Sequence, residues 1–246
     1  MRPASVPGVE KTERDGWERL APGVARRRLA FLDVTIGVVV GTDGVLLIDS
    51  GSTVPEGERL RREVRDLTGR DVTHLALTHA HFDHVLGASA FPEAAVYGQA
   101  GLAGVLARGR AELGEDAVRY GVAGPEARRA VDALVTPGHP VDRRHALDLG
   151  GREALLVHPG PGHTGHDLAV VVPGTPVVVF CGDLVEESGE PQAGPDAVPG
   201  RWPAALDALL ELGGETAVYV PGHGAVVDAR FVRAQRDALA RRFAVG

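Results

Sequence analysis

The sequence predicts a mixed α/β (α+β) chain in which two sheets carry helices on their outer sides. Three observations lead there. The first half alternates short β runs with helical stretches, and the second half repeats the style. Hydrophobic residues make up 44% of the 246, as in an ordinary globular protein. Aromatics are only 4%, so the core has to be built from Val, Leu and Ala. Two packed sheets with helices outside bury such a pattern.

The elements follow in order. "GVARRRLAF" and "VTIGVVVGTDGVLLIDSG" read as two or three strands, with Thr42-Asp43-Gly44 as a hairpin turn. Strand and turn end at Asp49-Ser50-Gly51. A helix follows from about Pro55, with Leu60, Val64 and Leu67 on one face and Gly69 as its stop. "VTHLALT" is the next strand, and a short helix begins near Asp83. "AAVYGQ" is a brief strand. Residues 99–138, rich in Ala and Arg and interrupted by glycines and Pro125, read as helices and loops laid over something. His74 falls in a strand, His139 and His145 in loops. "EALLVHPG" is a strand, and "DLAVVVPGTPVVVFCGD" is a hairpin turning at Pro173 to Pro176. A helix around Pro203 to Leu212, the strand "AVYV" and a last helix complete the chain. That last helix carries Phe231, Val232, Leu239 and Phe243 toward the core. With no repeat or low-complexity linker, one domain over 1–246 is expected.

Composition narrows the function. Lys and Arg total 26 against 33 Asp and Glu, a formal charge of −7, which argues against a dedicated nucleic-acid binder. Cys181 is the only cysteine, so an intrachain disulfide and a Cys-rich zinc site are excluded, and a buried inert thiol is expected. The first residues contain no apolar signal core, and no stretch approaches the length of a membrane span. A cytoplasmic protein without a membrane partner is expected; the oligomeric state is not legible.

"THAHFDHVLG" holds three histidines and an aspartate within six positions. Metal ligation accounts for this best, since imidazole and carboxylate suit zinc, and also iron or manganese. His79 and His81, two apart on an extended segment, can point the same way. Asp83 and His84 come as the chain turns into a helix, where adjacent residues project differently. One stretch can therefore feed two neighbouring metals. More ligands are then needed, and strand ends supply them. His163 stands in "HPGPGHTGHD", Asp183 ends "VVVFCGD", and His223 ends "VYVPGHG". His79, His81 and His163 can hold one metal, and Asp83, His84 and His223 the second. Asp183 can bridge them, because the two oxygens of a carboxylate can each face a cation.

Here the chain resembles the metallo-β-lactamase superfamily. "THAHFDH", "GPGHTGHD", "FCGD" and "PGHG" look like its successive metal motifs, in the right order. The resemblance implies a four-layer αββα sandwich with a dinuclear site at the open edge between its sheets. It also implies that Asp49 of "LLIDSG" supports the ligand loop from behind the metal site. Two divalent ions, zinc before iron or manganese, are the expected cofactors. The expected activity is metal-dependent hydrolysis of a small ester, thioester, lactone or lactam, with hydroxide shared by the ions attacking the carbonyl. Asp83 both binds metal and carries the proton to the leaving group. Residues 99–138 are expected to form a lid, and His166 is a candidate substrate contact, with His158 beside it. Two-zinc β-lactamases typically have Cys where Asp183 stands. Acyl-homoserine lactonases of the superfamily commonly place Tyr shortly after the bridging Asp, where this chain reads "DLVEE". The alternatives are a mononuclear-iron sulfur dioxygenase of the same fold and a non-catalytic metal-binding or ligand-sensing domain.

Overall fold

The structure, a computed structural model, describes residues 10–11 and 16–243. The first sheet takes its strands in chain order: β1 (Glu10–Lys11), β2 (Trp17–Ala21), β3 (Val24–Arg28), β4 (Thr35–Val40), β5 (Val45–Ile48), β6 (His74–Ala76), β7 (Ala95–Gln99) and β8 (His139–Val141). It is antiparallel as far as β5 and parallel from β5 to β8. Each parallel step needs a crossover, and the helices of this half lie in those crossovers. The second sheet comprises β9 (Arg144–Asp148), β10 (Glu153–Val157), β11 (Ala169–Val172), β12 (Val178–Glu186) and β13 (Val218–His223), in the spatial order β13-β12-β11-β10-β9. Its one parallel pair, β12 with β13, is joined through a helix.

The side-chain alternation of the strands sorts the core into layers. On β5, Leu46 and Ile48 face the second sheet, where they meet Val170 and Phe180. Val45 and Leu47 face the other way, toward Leu60 and Val64 of α1 (Val54–Thr68) and Leu102, Leu106 and Leu113 of the later helices. On the far side of the second sheet, Val179 and Tyr219 pack under α6 (Trp202–Gly213) and α7 (Ala229–Phe243) through Trp202, Leu206 and Val232. The result is a helix–sheet–sheet–helix sandwich. Each fully buried Val or Leu in these layers contributes roughly 1.5–3 kcal/mol relative to exposure.

Helix α1 begins where its sequence says it should. Thr53 caps it through Oγ1, which accepts from Glu56 N at 3.2 Å, while Glu56 reaches back to accept from Ser52 N at 2.8 Å. Its buried stripe is Leu60 and Val64; Leu67, expected on the same face, is exposed in the last turn. The expected placement of His139 and His145 in loops is corrected. His139 lies on β8 and His145 on β9, and both rings stack on Tyr97. These are short strands with mostly exposed side chains, so no apolar alternation marks them. Residues 99–138 carry three helices: α3 (Leu102–Arg108), α4 (Arg110–Arg119) and α5 (Gly124–Asp132), with α2 (Phe82–Val85) preceding them. Among the described residues no helix is long and apolar enough to cross a membrane.

Candidate metal centre

Four of the seven proposed ligands come from one stretch after β6. His81 is extended (φ −99°, ψ 148°) just before α2, so the backbone changes direction between it and Asp83 and His84 in the first helical turn. Asp49, at the end of β5, holds this stretch from behind. Its φ is +62°, a left-handed conformation that Asp tolerates better than most residues. Its carboxylate accepts from Thr78 N and from Thr78 Oγ1, each at 2.8 Å, and lies 2.8 Å from His84 Nδ1. Ser50 Oγ donates to the His84 carbonyl at 2.9 Å and locks the helix end in place.

The second sheet brings the other three. Strand β12 does not stop at Asp183 but runs on to Glu186, with register shifts around Gly182, whose φ is +53°. Such a bulge re-aims the side chain that follows, and Asp183 turns into the gap between the sheets. It sits so close to β13 that a Cβ on Gly222 would lie 1.8 Å from Asp183 Oδ1. His163 stands in the turn between β10 and β11, which buried Asp167 organises by accepting from Gly162 N and Thr164 N. His223 ends β13.

All seven side chains converge. Ligand-type atoms of His79, His81, His163 and Asp183 lie within 4.8 Å of one another, and so do those of Asp83, His84 and His223. Asp183 belongs to both neighbourhoods. Its Oδ2 is 3.6 Å from His79 Nε2, 3.4 Å from His163 Nε2 and 3.2 Å from His223 Nε2, and its Oδ1 is 3.2 Å from His84 Nε2.

The outward nitrogen of every ring meets an oxygen. His84 Nδ1 donates to Asp49 at 2.8 Å, His223 Nδ1 to Leu32 O at 2.7 Å, and His163 Nδ1 to Gln192 O at 3.0 Å. His81 Nε2 meets Asp196 Oδ2 at 3.1 Å. Thr78 Oγ1 gives its own proton to Asp49, so His79 Nδ1, 2.9 Å away, donates to it. Carbonyl and carboxylate oxygens only accept, so the outward nitrogen of each ring carries a proton. In the neutral ring the inward nitrogen is then a lone pair. His81 Nδ1 and His163 Nε2 face each other at 3.0 Å in this way. The inward atoms His79 Nε2, His84 Nε2 and Asp183 Oδ1 are buried and make no well-directed hydrogen bond; the 3.2 Å approach of the last two lacks the angle for one. Buried polar atoms left without partners are costly. Lone pairs and carboxylate oxygens converging on common points are what a divalent cation requires, so these residues fit the metal ions that the motifs imply.

The electrostatics agree. Burial drives His79 well below the ordinary histidine value, with His84 adding to the effect, and takes His163 down to about 4. Burial also opposes charge on His84 and His223, but here carboxylates prevail. Asp183, Asp83 and Asp49 raise His84 well above the ordinary value, and Asp183 brings His223 to about 10. Burial would raise Asp183 itself, yet His223, His84 and His79 hold it well below the usual carboxylate range. The carboxylates demand positive charge among them, which protons on His84 and His223 or a metal cation can supply.

The ligand cluster forms the floor of a cavity of about 620 Å³, walled by α4 and by the 186–196 segment. His166 is half-buried, donates from Nδ1 to Gln99 Oε1 at 2.7 Å, and is not among the residues lining this cavity. His158 bonds the Asp167 carbonyl. Cys181 is buried and its thiol is pushed up by desolvation, as expected of an inert core residue. Sequence reasoning missed Thr78, Leu32, Gln192 and Asp196, which orient the rings. It also missed Glu186, which lies close to Asp183 and His223. Of these only Thr78, adjacent to a ligand, carried any local signal.

The family model of the metallo-beta-lactamase superfamily matches residues 29–223, and the chain belongs to that superfamily. It is 31% identical over 158 residues to metallo-beta-lactamase domain-containing protein 1 of Xenopus laevis, an overlap of 63% of this chain and 54% of that protein. It is 28% identical over 219 residues to a hydroxyacylglutathione hydrolase of Cupriavidus metallidurans, covering 85% of this chain and 70% of the relative. The chain thus spans little more than half the length of the first of these. Among solved structures, a metallo-beta-lactamase from Pontibacter korlensis superposes with a TM-score of 0.71 at 20% identity, covering 94% of this chain and 98% of that one. At that identity the likeness is one of fold.

Proposed function

We propose that the chain is a dinuclear metal-dependent hydrolase of small carbonyl compounds: an ester, thioester, lactone or lactam. The observation that carries this reading is the set of five imidazoles, each tethered outward to oxygen, with two carboxylates between them. His79 Nε2, His81 Nδ1 and His163 Nε2 would hold one ion, His84 Nε2, His223 Nε2 and Asp83 the other, and Asp183 would join the two positions. Donors of this type suit zinc, with iron or manganese as alternatives. When bound, such ions supply an activated water near neutral pH and a polarised substrate carbonyl.

The chain's own residues do the rest. The ring tethers fix orientation in advance, so no reorganisation is needed during reaction. Asp83 lies on the cavity floor with Oδ2 3.4 Å from His223 Nε2. Its carboxylate is placed to take the proton of the attacking water and deliver it to the leaving group. Helix α4 and the 186–196 segment shield this chemistry from bulk water, the lid role expected of residues 99–138.

The test is metal quantification on the purified protein coupled to a screen of esters, thioesters, lactones and lactams. Two ions per chain with turnover are expected. One iron per chain with oxygen consumed in the presence of persulfide would establish the dioxygenase instead. Two ions and no turnover across the panel would establish the sensor.

A further inference from the structure

The walls of the cavity carry more negative charge than its floor requires. Apart from the proposed ligands, four acids line it: Glu112 and Asp116 on α4, and Glu186 and Asp196 on the segment opposite. The only lysine or arginine among its lining residues is Arg119. That guanidinium is engaged by Asp116, one turn away on the same helix, at 2.6 Å. A site that recognises a carboxylate or phosphate offers it a free, positioned cation, usually an arginine fork. Here the single fork faces an acid of its own helix, and further acids line the same cavity. Apart from Ser188 and Gln192, the remaining side chains of the wall are apolar. Phe82 stacks on Tyr120 with ring centroids 5.6 Å apart, and Val105 and Leu106 continue that surface.

We propose that this cavity selects uncharged or cationic acyl compounds with an apolar acyl part, and discriminates against anionic ones. The inference rests on the hydrolase reading above and names its substrate class. The metal centre pulls on the reacting carbonyl of any substrate alike. Selection acts on the portion of the molecule that lies along α4. A carboxylate there would sit among Glu112, Asp116 and Glu186 with no cation free to meet it. Like charges across a partly wet cavity, screened by salt, translate into roughly tenfold or greater discrimination. The apolar acyl chain gains by burial against Phe82, Tyr120 and Val105.

The experiment uses the metal-loaded protein and three esters that share one acyl chain and one leaving group. They end in a methyl, a carboxylate or a trimethylammonium group. For the unaltered protein, kcat/KM for the neutral and cationic esters is expected to exceed that for the anionic ester by about tenfold or more, with the gap narrowing at high salt. Glu112→Lys combined with Asp116→Asn puts one cation on the wall and frees Arg119. The anionic-to-neutral ratio should then rise by about tenfold, with ion content unchanged. Glu112 is exposed and Asp116 half-buried, and neither belongs to the core, so the fold is not at stake. Equal or better turnover of the anionic ester by the unaltered protein overturns the proposal, as does a ratio that the double variant leaves unmoved. If the protein loads two ions and turns over none of the three, the hydrolase reading fails separately. The charge rule is then read from calorimetric binding of the same compounds, where tighter binding of the anion overturns it.

Discussion

Gly222 shows how narrowly the centre is drawn at the scale of single residues. Any Cβ there would collide with Asp183 Oδ1. Gly222→Ala is therefore expected to push the carboxylate out of line and lower the protein's metal content, while the circular-dichroism spectrum stays native-like; elemental analysis reads the loss. Asp49 acts differently, through Thr78 and His84. Asp49→Asn keeps the shape but replaces one acceptor oxygen with a donor. Chelator competition should report metal affinity lower by about 10–100-fold, the usual effect of removing a carboxylate behind a ligating histidine. Asp167 gives a pH signature. Burial pushes it up to about 7 from an ordinary value of 3.8, against the pull of the Thr164 and Gly162 hydrogen bonds. A carboxyl raised in the folded state stabilises that state while protonated. Its contribution is complete below about pH 3.8 and is lost as pH rises through about 7. The Tm of the metal-free protein should fall by several degrees between about pH 5 and pH 8, and Asp167→Asn should flatten that slope. Melting curves over that range decide it. The seven candidate ligands were legible in the sequence because four crowd into "THAHFDH" after a strand, and His163, Asp183 and His223 stand beside glycines or prolines next to apolar β runs. Their tethers were not. Asp196 is 115 positions from His81, and Leu32 is 191 from His223, and only the fold brings such pairs together.

At the scale of elements, the helices over the cavity serve two masters. Leu102, Leu106 and Leu113 belong to the outer core of the first sheet, so removing α3–α5 would expose that core as well as the site. A single bulky substitution is the cleaner probe. Val105 lines the cavity and is only partly buried. Val105→Trp is expected to shift the preferred acyl length and raise KM severalfold for long acyl groups, with metal content unaffected. An acyl-chain series read beside elemental analysis separates the two. The sequence showed these helices by composition, and α1 by its cap, its stripe and Gly69. It did not show β2, β8 or β9. On β9 only Leu147 of "RHALD" is buried, and β8 contains Pro140, so the period-two signal that reveals a half-buried strand is missing. The break in β12 was equally silent, because a bulge follows from pairing with a neighbour, here β13, rather than from local pattern.

For the molecule as a whole, the composition correctly implied a core of aliphatic side chains in layers, but strand order and register come from long-range packing that no local run encodes. The division of the candidate ligands between layers matters most at this scale. His79, His81, Asp83 and His84 belong to the first sheet, whereas His163, Asp183 and His223 belong to the second. Away from that edge the sheets meet largely through apolar contacts such as Leu46, Ile48 and Val170 against Phe180. Chelation is therefore expected to raise amide hydrogen exchange around residues 77–85, 162–168 and 220–224 by about tenfold or more, and to leave the centre of the first sheet protected. Exchange unchanged by chelator would show that the layers hold without help. A cation riveting the two halves would make the lifetime of the polypeptide answer to mineral supply. Starved of its ion, the same chain would gape at one rim and become food for proteases.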